Sequence, residues 1–124
     1  MRFCLVPDEV IELNRYLIGT EINLLDRGKL EASLAAPLQT FGGELLTPSP
    51  IRQAVLLLTG LVHAHAFIDG NKRTAWVCFV TYLEQFGMTL AAIPATEVTN
   101  FVVSLALHKM SDDEAVDWIV DKLS

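Results

Sequence analysis

Apolar residues recur at helical spacing along almost the whole chain, and the breaks between these runs fall on glycine and proline. Pro7 followed by Asp8 and Glu9 makes an acidic helix start that complements the helix dipole, and Val10, Leu13 and Leu17 share a face up to Gly19. Asp26 can cap a short second helix with Leu30 and Leu34 inward, ended by Pro37. From Phe41 to Thr47 the pair Gly42-Gly43 forbids a stable helix and predicts a turn or short hairpin. Ser49 before Pro50 signals a third helix with Ile51, Val55, Leu58 and Val62 along one side.

The stretch from Lys72 to Phe86 is apolar on nearly every side. Ala75, Cys78, Phe79, Tyr82 and Phe86 form one stripe, and Trp76, Val77, Val80 and Leu83 cover most of the remainder. That pattern predicts a buried central helix stopped by Gly87. Thr96 can cap a fifth helix with Val98, Phe101, Val102 and Leu105 inward, and Ser111 to Glu114 fits a capping box for a last helix burying Ala115, Ile119 and Leu123. The expected fold is all-α: one domain over residues 1–124, about six helices around a buried central helix, with a short hairpin.

Composition narrows the function. The chain is 52% hydrophobic and 19% charged, which excludes disorder and implies that some apolar surface stays exposed, as a partner-binding groove would. A net charge of −6 argues against direct nucleic acid binding, so an anion site must be local. Cys4 and Cys78 lack the spacing of a disulfide framework or zinc site and read as reduced thiols. The N-terminal apolar run is too short for a signal peptide, and the uncharged stretch from Gln53 to Ile68 falls short of a bilayer span. These features predict a soluble, cytoplasmic protein without a membrane partner.

One loop concentrates the chemistry. His65 to Arg73 joins the third helix to the start of the fourth, where unpaired amides and the dipole attract phosphate. Gly70 lets the backbone approach a ligand closely, so the amides of Gly70, Asn71 and Lys72 can face phosphate oxygens, while Lys72 and Arg73 add charge. Asp69 is placed to hold Mg²⁺ against those phosphates, and His65 is the nearby side chain suited to taking a proton from a hydroxyl at neutral pH. Phe67 reads as an apolar plug that anchors the loop. Singly, each residue has an ordinary explanation, since Asp-Gly-Asn is a common turn and a histidine at a helix end is commonly structural. Together they are less ordinary, because two cations at a helix N-terminus oppose the dipole unless an anion is bound.

The run His65-Ala66-Phe67-Ile68-Asp69-Gly70-Asn71-Lys72-Arg73-Thr74-Ala75 resembles the signature loop of the Fic/Doc superfamily, in its Doc (death-on-curing) form. The resemblance extends upstream through Leu25 to Leu34 and Pro37 to Gly43, and downstream to Phe86-Gly87. It implies a helical Fic fold that uses ATP and Mg²⁺ to modify a protein hydroxyl. His65 would be the base, Asp69 the metal ligand, Gly70, Asn71, Lys72 and Arg73 the phosphate holders, and Phe67 the buried anchor. The segment Phe41, Gly42, Gly43, Glu44, Leu45 and Leu46 would be the flap that aligns a target chain as an added strand.

Two departures refine the expectation. Where Fic adenylyltransferases typically carry a glycine this chain has Lys72, and where they carry a second arginine it has Trp76. In the family such changes go with transfer of the terminal phosphate, so the resemblance implies a threonine kinase acting on a translation factor such as elongation factor Tu. Transfer of AMP, and a catalytically silent Fic-fold module, are the alternatives. The family's inhibitory helix is absent, since Thr40 to Leu45 has the spacing but its glycines would not hold a helix. A toxin lacking it implies a separate antitoxin whose amphipathic segment lies in an apolar groove. His63 reads as structural because residues two apart on a helix face different sides; His108 suits a helix C-terminus; Asp112, Asp113 and Glu114 suit a helix start; and Trp118 reads as core or groove wall.

Overall fold

A computed structural model of the chain describes residues 1–19, 21 and 23–124. Six α-helices account for most of them: α1 (Pro7–Ile18), α2 (Arg27–Ala35), α3 (Pro50–Ala64), α4 (Asn71–Gln85), α5 (Ala95–Ala106) and α6 (Asp112–Lys122). A single 3-10 turn, Ala36–Leu38, and a hairpin of β1 (Thr40–Phe41) and β2 (Glu44–Leu45) lie between α2 and α3. The all-helical fold with one small hairpin is therefore present.

Local chemistry sets most of the boundaries. Asp26 accepts the Lys29 amide at 3.0 Å, Ser49 accepts that of Arg52 at 3.3 Å, and Ser111 with Glu114 closes a full capping box. Gly42 and Gly43 both have positive φ, 61° and 83°, as a two-residue turn needs if its twist is to match the strands it joins. Thr40 then pairs with Leu45 and Phe41 with Glu44.

Helix α3 packs against α2, α4, α5 and α6. It buries Ala54, Leu57 and Leu61 as well as the expected Val55, Leu58 and Val62, while Ile51 is half-buried. Helix α4 lies along it and buries Thr74, Ala75, Cys78, Phe79, Tyr82 and Leu83. Its other apolar residues are less enclosed: Trp76, Val77 and Val80 are half-buried, and Phe86, past the helix end, is exposed against the Tyr82 ring. Helix α5 begins after Pro94 at Ala95, so Thr96 lies inside it and does not cap it; Pro94, with φ fixed near −55°, ends the extended approach. Leu123 is half-buried and pairs with Leu90 in an isolated bridge, which ties the segment after α4 to the C-terminal end of α6. Trp118 stacks flat on Phe101 at 3.8 Å, under the edge of Trp76. Among the described residues no helix is long and apolar enough to cross a membrane.

Candidate functional site

The loop begins where α3 stops. His65 takes the left-handed conformation there, φ 49°, which turns the chain sharply and leaves the imidazole exposed. Ala66 and Phe67 then turn inward and are buried in the core, as an anchor requires. The segment before α2 pairs with the loop like an edge strand. Leu24 bridges Phe67, the amides of Leu25 and Asp26 donate to the Ala66 carbonyl at 2.7 and 3.1 Å, and the Ile68 amide donates to the Asn23 carbonyl at 2.8 Å.

Two asparagine side chains complete the bracing. Asn71 accepts the Phe67 amide at 3.1 Å and donates to the Phe67 carbonyl at 2.8 Å. Asn23 treats Asp69 in the same way, accepting its amide at 3.2 Å and donating to its carbonyl at 2.8 Å. Asn14, fully buried on α1, donates to the same Asp69 carbonyl at 3.1 Å and to Thr74 Oγ1 at 3.0 Å. Sequence reasoning missed Asn14 and Asn23. The available signal was Asn14 four residues after Val10, a polar group on the inward face of an amphipathic helix.

Gly70 closes the loop at φ 76°, and a Cβ there would lie 2.3 Å from Cδ1 of Ile18. Its amide donates to Asp69 Oδ1 at 2.7 Å, so it is already engaged. The amides facing outward are therefore those of the first turn of α4, which has no side-chain cap. Asn71 can offer a ligand only its backbone, because its side chain is turned back to Phe67. Arg73 Nη1 donates to the Leu17 carbonyl at 3.2 Å, at the C-terminal end of α1. Neither Lys72 nor Arg73 joins an ion pair among the described residues, although acidic residues outnumber Lys and Arg by 15 to 9.

These groups open on a cleft of about 590 Å³. One wall is the loop and the start of α4, with His65, Asp69, Lys72 and Arg73; the other is apolar, from Trp76 on α4 and Val98, Val102 and Val103 on α5, with Thr99 beside them. The site residues expected in the loop line one cavity, apart from the buried Phe67. The hairpin contributes none of the lining: Phe41 and Leu46 are exposed outside it. His63 faces elsewhere, with Nε2 2.9 Å from the Leu105 carbonyl and its ring stacked on His108 at 4.2 Å. Asp113 pairs with Arg52 at 2.8 Å.

The donor set suits one kind of metal. No cluster of three or more metal-ligating side chains exists among the described residues, and Asp69 already commits Oδ1 to Gly70. A single carboxylate fits a Mg²⁺ ion that takes its other ligands from nucleotide phosphates and water, and does not fit a resident metal.

A histidine, a carboxylate, two cations and a helix start thus meet along one cleft, an arrangement suited to group transfer on a helical scaffold. The chain matches the Fic/DOC family over residues 4–83, and it belongs to that family. It is also 38% identical over 117 residues to Toxin Doc of Mycolicibacterium smegmatis (strain ATCC 700084 / mc(2)155), covering 94% of this chain and 85% of that protein.

Proposed function

We propose that this protein is the toxin of a toxin–antitoxin pair and acts in the cytoplasm as an ATP- and Mg²⁺-dependent protein kinase on a threonine of a translation factor such as elongation factor Tu, arresting translation. The observation that carries the reading is the meeting, along one wall of one cleft, of an exposed histidine and an uncapped helix start whose two cations join no ion pair among the described residues. His65 takes the proton of the target hydroxyl. That oxygen forms a bond to the γ-phosphorus, the bond between γ-phosphorus and bridging oxygen breaks, and ADP leaves. Lys72, Arg73 and the first amides of α4 hold the phosphate charge, and Asp69 would hold the Mg²⁺ that offsets the remainder.

Terminal-phosphate transfer is favoured over AMP transfer by Trp76. The groups able to bind anions end at the first turn of α4, and the next residue along the cleft is this apolar indole. A triphosphate laid further along α4 would meet Trp76, Val98 and Val102, which offer it no charge. The toxin role follows the likeness to Toxin Doc, and an antitoxin segment in an apolar groove would supply the restraint that the chain's own hairpin does not.

Incubation with cell extract and ATP labelled separately at the α- and γ-phosphates tests this. Label transferred to protein from the γ position alone is expected; label from the α position would mean nucleotidyl transfer, and none from either would mean a binding module.

A further inference from the structure

The buried polar cluster beneath the loop is more specific than anchoring requires. Phe67 and the pairing of residues 23–26 with residues 66–68 already fix the loop to the core. Yet Asn14 and Asn23 are buried behind it, where apolar residues of similar size would avoid the cost of burying amides. Neither lines the cleft. We propose that Asn14 and Asn23 are positioning residues for Asp69, fixing its main chain and through it the direction of its carboxylate; this rests on the group-transfer reading above.

The linkage runs through one peptide plane. The Asp69 carbonyl receives two donors, Asn23 Nδ2 at 2.8 Å and Asn14 Nδ2 at 3.1 Å, which hold it toward α1. In a trans peptide the following N–H points the opposite way, so Gly70 N–H is driven outward. There it meets Asp69 Oδ1 at 2.7 Å, and the plane thereby orients the carboxylate. Oδ2 is the oxygen left for a cation on the nucleotide. Asn23 also donates to Asn14 Oδ1 at 2.5 Å, and Asn14 to Thr74 Oγ1 at 3.0 Å, so each amide is itself held in one orientation. Among the described residues no buried side-chain polar atom lacks a partner, so the cluster is fully satisfied in this arrangement.

The test measures Mn²⁺ binding by EPR in the presence of a non-hydrolysable ATP analogue, for the unmodified protein, Asn23→Ala, Asn14→Ala and Tyr82→Phe. Tyr82→Phe is the control, since it breaks an equally buried bond, to Gln53 Oε1 at 2.6 Å, far from the loop. Asn23→Ala is expected to weaken Mn²⁺ binding about tenfold or more, as loss of a group orienting a metal ligand does. Asn14→Ala should lose less, because Asn23 still holds Asp69, and Tyr82→Phe should match the unmodified protein. If Asn23→Ala binds Mn²⁺ as well as Tyr82→Phe does, the proposal falls while the group-transfer reading stands. If the unmodified protein does not bind Mn²⁺ with the analogue, that reading falls and takes the proposal with it. Hydrogen exchange on the unmodified protein needs no variant to fold: the Asp69 amide must exchange more slowly than the hairpin amides, and equal rates would refute the clamp.

Discussion

Asn71 holds both the amide and the carbonyl of Phe67, at 3.1 and 2.8 Å, so one side chain at the start of α4 closes the turn that α3 opened. The residue therefore serves the loop's shape before it serves a ligand. Asn71→Ala is expected to cost about 1–3 kcal/mol, because it leaves backbone groups of a buried residue unpaired. Denaturant unfolding measures the cost, and a change near zero would show that water replaces the amide.

His65 stands apart from that bracing. It is exposed, and its φ of 49° costs a side-chain-bearing residue about 1 kcal/mol, a strain glycine avoids. His65→Ala should abolish transfer and change stability by less than about 0.5 kcal/mol, as exposed substitutions do. His65→Gly should be equally inactive and slightly more stable. Transfer persisting in either variant would remove His65 as the base.

Gly70 is constrained twice, and the two constraints separate. A Cβ there would lie 2.3 Å from Ile18 Cδ1, and the φ of 76° disfavours any side chain. Gly70→Ala should cost about 1–3 kcal/mol from backbone strain plus overpacking. Adding Ile18→Ala should recover only the overpacking part. Thermal unfolding of the single and double variants checks this; full recovery would mean the dihedral is not strained.

The same residues show what the sequence could convey. The helices were legible because caps and stops are local: Asp26, Ser49, Ser111 and Gly19 each act within a few positions. The loop residues were legible because they are contiguous, and they do line one cleft apart from the buried Phe67. Asn14 and Asn23 were not, since their partner Asp69 lies 55 and 46 residues away and an isolated asparagine carries no spacing to read. The extra burial on α3 escaped for a related reason, because helical periodicity gives a helix's apolar face but not how many neighbours surround it. Pro94 displaced Thr96 as the start of α5 because its fixed φ acts before any side-chain cap can.

Cys78 gives the fold a pH limit. Burial, and after it the neighbouring Cys4, pushes its thiol up from 9.0 to about 12. The folded state resists ionisation while the unfolded chain does not, so this contribution is complete below pH 9 and is lost as pH rises toward 12. Each such thiol steepens the loss by up to about 1.4 kcal/mol per pH unit. Tyr82 is also raised, from 10.0 by burial, so the interval from pH 9 to 10 isolates the thiols. Denaturation of Cys78→Ala across that interval should give a shallower slope than the unmodified protein, and an identical slope would exclude Cys78 as a source.

Lys72 sets function against stability. It lies in the first turn of α4, which contains no acidic residue, and its charge meets the positive end of the helix dipole. Among the described residues it joins no ion pair, and it faces the cleft. Lys72→Ala should therefore raise stability by about 0.3–1 kcal/mol at low ionic strength, with the gain shrinking as salt screens it. The same change should weaken ATP binding. Arg73→Ala should differ, because Arg73 also donates to the Leu17 carbonyl at the C-terminal end of α1, where positive charge is favourable. Its removal should lower stability by about 0.3–1 kcal/mol as well as weakening ATP binding. Parallel melting curves and ATP titrations of the two variants test the contrast. If Lys72→Ala is no more stable than the unmodified protein, the helix start is not held in an unfavourable charge state for the sake of an anion.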